Sequence, residues 1–155
     1  VNSGDDLDAR AELAFANTLG GYAMVCSGCA GCHGLEHGMS AHHHDLPHGA
    51  GLIMIARAYH TWMIDHGAAP ERYIDMARLM GNAEADDPHD FVIELTRLMK
   101  ACHVADLAMS EWGITADELP AIAHNALTTN GALFGHDPVA LTKPDVVEIL
   151  KRSYR

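Results

Sequence analysis

The sequence predicts an all-α domain, and three observations carry that expectation. Apolar residues recur at helical spacing through most of the chain, no run of alternating β-branched residues occurs, and capping signals stand where the periodic stretches begin. At 155 residues the chain fits one domain, residues 1–155, long enough to bury a core. No repeat and no linker divides it.

Asp5 or Asp6 can cap a first helix running to about Gly28. Leu13, Ala16, Gly20, Ala23 and Met24 form one stripe along it, small enough to admit the close approach of another helix. A second helix carries His33 and His37 and ends before Pro47. The third, from about Gly49 to His66, is apolar on most faces through Leu52, Ile53, Met54, Ile55, Ala56, Tyr59, Trp62 and Met63. A helix apolar nearly all round is the buried centre of a domain. Pro70 sits in the first turn of a fourth helix that carries Tyr73, Ile74, Met76, Ala77, Leu79 and Met80 and stops at Gly81.

After an acidic loop from Ala83 to Asp87, Asp87-Pro88 starts a helix with Phe91, Val92, Leu95, Leu98 and Met99 at the expected offsets. Thr115-Ala116-Asp117-Glu118 has the form of a capping box before Leu119, Ile122, Ala123, Ala126 and Leu127. Asn130 to Asp137 reads as a Gly-containing loop, and Thr142 as the cap of a last helix from Pro144 to Tyr154.

Hydrophobic residues make up 48 % and charged residues 20 %, as in globular proteins. Ten Lys and Arg against 21 Asp and Glu leave a net charge of −11, which opposes binding to nucleic acid or to an anionic membrane. The longest apolar stretch, Gly49 to Met63, is broken by Arg57 and His60 and is too short to span a bilayer. No signal peptide is visible, and three of the four cysteines are clustered rather than spread as in a secreted disulfide framework. These features point to a cytoplasmic protein. The chain opens at Val1 without Met, which is read as removal of an upstream segment.

The chemistry concentrates in one place. Six of the twelve histidines fall between residues 33 and 48. Imidazole is the commonest metal-ligating side chain, and nothing in ordinary packing calls for such a density. A solvated His-rich loop is the plain alternative. Spacing favours a site, because His33 and His37 share a helix face and Gly34 and Gly38 beside them leave room for a ligand. An overlapping pattern, Cys29-Ala30-Gly31-Cys32-His33, matches covalent haem attachment, with His33 as axial ligand. Cys26, Cys29 and Cys32 are also open to an iron–sulfur cluster, a redox dithiol, or a role as small packing residues. His33 cannot serve both a haem and a separate metal site. His60, His66, His89, His103, His124 and His136 stand singly and read as surface or satisfied core residues.

Taken together, these residues resemble the C-terminal helical domain of the iron-containing (group III) alcohol dehydrogenases. The resemblance is carried by His33-Gly34-Leu35-Glu36-His37-Gly38-Met39-Ser40-Ala41 and by Asp45-Leu46-Pro47-His48-Gly49-Ala50-Gly51-Leu52. It continues through Tyr73 to Gly81, Gly113 to Pro120 and Pro138 to Arg155, nearly the whole chain. It implies a divalent metal, Fe2+ or Zn2+, held by one Asp and three His, two of which match His33 and His48. His37 matches a residue that lies beside the substrate and nicotinamide, a catalytic position rather than a ligand. The family sets its two ligand histidines one position closer than His33 and His48, so a residue is inserted here, within His42-His43-His44. The Pro47-His48-Gly49 anchor favours His48 over His44 as the ligand, and His42 to His44 read as a solvated or supporting loop.

The implied activity is oxidation of a small alcohol or reduction of an aldehyde. The metal polarises the substrate oxygen while hydride passes to or from NAD or NADP. The implied assembly is a homo-oligomer. Two parts of the family pattern are missing. No Asp in the chain is followed four residues later by His, and no Gly-rich strand-to-helix turn cradles a pyrophosphate. Family members are more than twice this length, with the nucleotide domain first. The chain therefore reads as a C-terminal fragment, without the N-terminal nucleotide-binding domain and inactive by itself. A haem-bearing electron carrier using Cys29, Cys32 and His33 is the alternative function.

Overall fold

The computed structural model describes residues 3–155, and among them every regular element is helical. In order they are α1 (Leu7–Ser27), α2 (Gly31–His42), α3 (His48–Asp65), α4 (Pro70–Leu79), α5 (Asp90–Ala101), α6 (Leu119–Thr129), α7 (Gly131–Phe134) and α8 (Lys143–Ser153), with a 3₁₀ turn at Met109–Trp112 before α6. The all-α expectation holds. No helix among the described residues is long and apolar enough to cross a membrane.

Helix α3 forms the middle of the fold. It packs against α2 on one side and against α8 and α5 on others, while α2 and α8 both close on α6. Met54, Ile55, Tyr59, Trp62 and Met63 of α3 are buried, with Leu35 and Met39 from α2, Ile122 and Ala126 from α6, and Ile149 and Leu150 from α8. Leu52, Ile53 and Ala56 are only half-buried, so α3 is central without being enclosed on all sides. The approach of α2 to α6 depends on Gly38. A Cβ there would stand 2.9 Å from the Ala126 Cβ and 2.9 Å from the Ile122 carbonyl oxygen, which is overlap.

The capping residues behave as their chemistry requires. Asp6 accepts a hydrogen bond from the Ala9 amide at 3.0 Å, and Asp145 accepts from the Thr142 amide at 2.8 Å. Glu118 Oε2 accepts from the Thr115 amide at 2.7 Å and from the Thr115 hydroxyl at 2.9 Å, and α6 begins after that turn. Pro120 and Pro144 occupy first turns, where a missing N–H costs nothing.

Three expectations change. The stripe Leu13, Ala16, Gly20, Ala23 and Met24 is not covered by a closely packed helix among the described residues; α1 buries none of its residues, and Leu13, Phe15, Tyr22 and Val25 are exposed. Its Gly20, Gly21 and Met24 instead border an open cleft of about 590 Å³ shared with Cys29, Cys32 and His33. Residues 130–137 are not wholly a loop, because α7 forms there and buries Phe134 against Gly31 and Gly34. The 3₁₀ turn at Met109–Trp112 was not expected either. Both short elements span about one turn, too little for a periodic pattern to register.

Candidate metal centre

Helix α2 sets the first two histidines. It starts at Gly31, whose amide donates to Asp137 Oδ1 at 2.9 Å, and the Tyr59 hydroxyl of α3 donates to the same oxygen at 2.5 Å. Asp137 thus ties the start of α2 to the middle of α3. From that fixed start, His33 and His37 emerge one turn apart on one face. The chain then turns through His43 to Leu46, closed by the Leu46 amide on the His43 carbonyl at 3.0 Å. Pro47 caps α3 with extended backbone, which makes His48 the first residue of that helix.

The two helices bring the rings together. His33 Nδ1 and His48 Nε2 stand 3.2 Å apart. The ring centroids of His33 and His48 are 5.2 Å apart, those of His37 and His48 5.3 Å, and those of His33 and His37 6.5 Å. One nitrogen from each ring lies within 4.8 Å of the other two, and no other such group of ligating side chains occurs among the described residues. His33, His37 and His48, singled out from the sequence, therefore meet at one point on the surface.

The donor set fits a divalent cation. Two imidazole nitrogens held on one ion at about 2.0–2.1 Å, at a near-tetrahedral angle, stand about 3.3 Å from each other. The His33–His48 separation of 3.2 Å matches that spacing. Burial first, then the nearness of His48 and His37, holds the His33 pKa below its ordinary value, so the ring is neutral and offers a lone pair. His37 is held by Asn130, whose Oδ1 lies 3.3 Å from Nδ1 at the end of α6.

One participant escaped the sequence reading. Glu36 is fully buried, and its Oε2 accepts a hydrogen bond from His48 Nδ1. The available signal was a single carboxylate inside a helix made otherwise of small, apolar and imidazole side chains. Asn130 was likewise not singled out.

The remaining histidines do other work. His42 Nδ1 donates to the Gly38 carbonyl at 3.0 Å, and His43 Nε2 stands 3.4 Å from Glu118 Oε1; His44 is exposed. None of the three joins the cluster. His66 stacks on Trp62 with ring centroids 3.7 Å apart, His60 pairs with the Tyr73 hydroxyl at 3.0 Å, and His89 lies between Asp65 and Asp87.

Cys26, Cys29, Cys32 and Cys102 are free thiols. Burial foremost, then Asp137, pushes the Cys32 pKa up to about 11, so its thiol stays protonated and is a poor nucleophile. The neighbouring His33 turns its Nδ1 toward His48.

Comparison with known proteins gives one consistent answer. The model of the Fe-containing alcohol dehydrogenase family, C-terminal, matches residues 1–154. Alcohol dehydrogenase 4 of Saccharomyces cerevisiae is 27 % identical over 97 % of this chain and 38 % of its own length. The 1,3-propanediol dehydrogenase of Klebsiella pneumoniae is 25 % identical over 99 % of this chain and 40 % of its own. A solved archaeal halo-thermophilic alcohol dehydrogenase from a Red Sea brine pool superposes with a TM-score of 0.91 at 27 % identity, covering 98 % of this chain and 39 % of that one. The chain spans about two-fifths of the length of these relatives.

Proposed function

The chain belongs to the iron-containing alcohol dehydrogenase family, in its C-terminal region, and from that premise we propose that it supplies part of the metal site of an NAD- or NADP-dependent enzyme. His33 and His48 are its metal ligands. The substrate is a small alcohol or aldehyde, and the metal is Fe2+, with Zn2+ as the alternative. The observation that carries this reading is the 3.2 Å separation of His33 Nδ1 and His48 Nε2.

A divalent cation bound there supplies Lewis acidity to the alcohol or aldehyde oxygen during hydride transfer. The chain's own residues prepare the place. Two helices with buried inner faces hold the ligand rings, which limits their motion. His37, steadied by Asn130, faces the same point from one turn along α2, and in this reading it contacts substrate or nicotinamide. On the same reading the remaining ligands stand on an earlier helix as an Asp-x-x-x-His pair and the nucleotide site lies in an N-terminal domain, so the 155 residues alone are expected to be inactive.

The test is metal-dependent turnover by the full-length enzyme, assayed with Fe2+ or Zn2+, NAD(H) or NADP(H), and a panel of short alcohols and aldehydes. Loss of activity in His33→Ala and in His48→Ala is expected. Full turnover by either variant would remove the ligand assignment. An intense Soret band with a haem-sized mass gain would instead establish the electron-carrier reading through Cys29 and Cys32.

A further inference from the structure

We propose that Glu36 is the positioning residue of His48, fixing its tautomer and aiming its Nε2 at the metal. The role rests on the metal reading above. The Glu36 side chain is fully buried, whereas that of His48 is 48 % exposed. Packing alone therefore does not fix the imidazole; its Nε2 meets His33, and on the inner side the hydrogen bond from Nδ1 to Glu36 Oε2 sets the ring. With its proton on Nδ1, the neutral ring carries its lone pair on Nε2, and Nε2 is the atom that faces His33.

An ionised carboxylate accepts and never donates, so it admits only the Nδ1–H tautomer. A glutamine offers both an oxygen and an amide NH2, and the amide would stabilise the opposite tautomer, whose Nε2 has no lone pair for a cation. The other carboxylate oxygen, Oε1, is buried without a hydrogen-bond partner. A buried charge satisfied on one side is costly by itself. A cation on Nε2 would draw charge through the ring and strengthen the single hydrogen bond that Glu36 makes.

The neighbouring helix is shaped around the carboxylate. A Cβ on Gly51 would stand 2.6 Å from Glu36 Cγ and 2.9 Å from Oε1, so only glycine leaves the side chain its place. Gly51 lies on α3 with His48. The same helix thus provides both the ring and the space for the residue that orients it.

The experiment uses the full-length protein, with Co2+ alone as the probe followed by its visible d–d absorption. Long-range 1H–15N correlations of the metal-free protein report the His48 tautomer. Far-UV circular dichroism and a thermal melt confirm that each variant is folded. Glu36→Gln is expected to weaken Co2+ binding roughly 10–100-fold and to replace a pure Nδ1–H tautomer with a mixture. Gly51→Ala, which displaces the carboxylate without removing its charge, is expected to weaken binding in the same direction. Retained affinity or an unchanged tautomer in Glu36→Gln would overturn the proposal. His33→Ala separates the two readings: Co2+ binding that survives His33→Ala removes the parent metal assignment and leaves the tautomer measurement to decide the role of Glu36.

Discussion

His33 Nδ1 and His48 Nε2 lie 3.2 Å apart although 15 positions separate the residues in sequence. One sits in the first turn of α2, the other at the first position of α3. Two neutral imidazoles that share one ion act as a unit, so their deletions should not add. In Co2+ titrations His33→Ala and His48→Ala should each remove most of the affinity, and the double variant little more. Fully additive losses would mean that the two rings bind independently.

Gly38 and Gly49 make a paired test of packing. Gly38→Ala drives a methyl into Ala126 and the Ile122 carbonyl, where it would lie at 2.9 Å from each. Overpacking of that kind costs about 1–3 kcal/mol. Gly49→Ala meets nothing within 4 Å and should be neutral or slightly stabilising. Urea unfolding of both variants measures the contrast. Equal stability of the two would show that the α2–α6 approach is looser than described.

His60 should make the protein less stable in mild acid. Enclosed by the rings of Tyr59, Tyr73 and Phe91, it is held by burial at a pKa of about 4, against an ordinary 6.5. Between those values the unfolded chain binds a proton that the folded chain refuses. The stability present above pH 6.5 is therefore lost as pH falls toward 4, by up to about 3 kcal/mol. The variant His60→Gln should flatten that part of the stability–pH curve. A slope unchanged from the wild type would remove His60 as its source.

Tyr59→Phe deletes the hydroxyl that donates to Asp137 Oδ1, in a place where Asp137 Oδ2 already has no partner. A hydrogen bond to a charged acceptor contributes about 1.5–3 kcal/mol. Thermal unfolding should report a loss of that order. Because Asp137 also receives the Gly31 amide, the start of α2 should loosen, and amide exchange near His33 should quicken. Unchanged exchange there would confine the role of Asp137 to global stability.

Self-association is expected of the isolated 155-residue chain, since Phe15, Tyr22 and Val25 lie exposed on one side of α1 and Leu13 is exposed on the other. Sedimentation velocity over a range of concentrations should show species larger than the monomer, and Phe15→Lys with Val25→Lys should reduce them. A monomer at every concentration would contradict the expectation.

The sequence by itself determined the longer helices and pointed to the histidines of the cluster. Periodicity at three and four residues, Pro in first turns and Asp or Thr at caps are local properties, so the residues near Leu7, Pro70 and Lys143 announce their helices without help from the rest of the chain. His33 and His37 were legible for the same reason, one helix turn apart, whereas His48 was singled out by the Pro47-His48-Gly49 match to the family and its place at the start of α3 came from the structure. What only the tertiary structure decided are relations between distant segments. Glu36 became a partner of His48, Asp137 a clamp on Gly31 and Tyr59, and Phe134 a lid on Gly34, and each depends on how α2 lies across its neighbours. The exposure of α1 belongs with them. A stripe of small and apolar residues states that a helix face is suited to burial; which surface meets it depends on the packing of the whole fold, which no local pattern encodes.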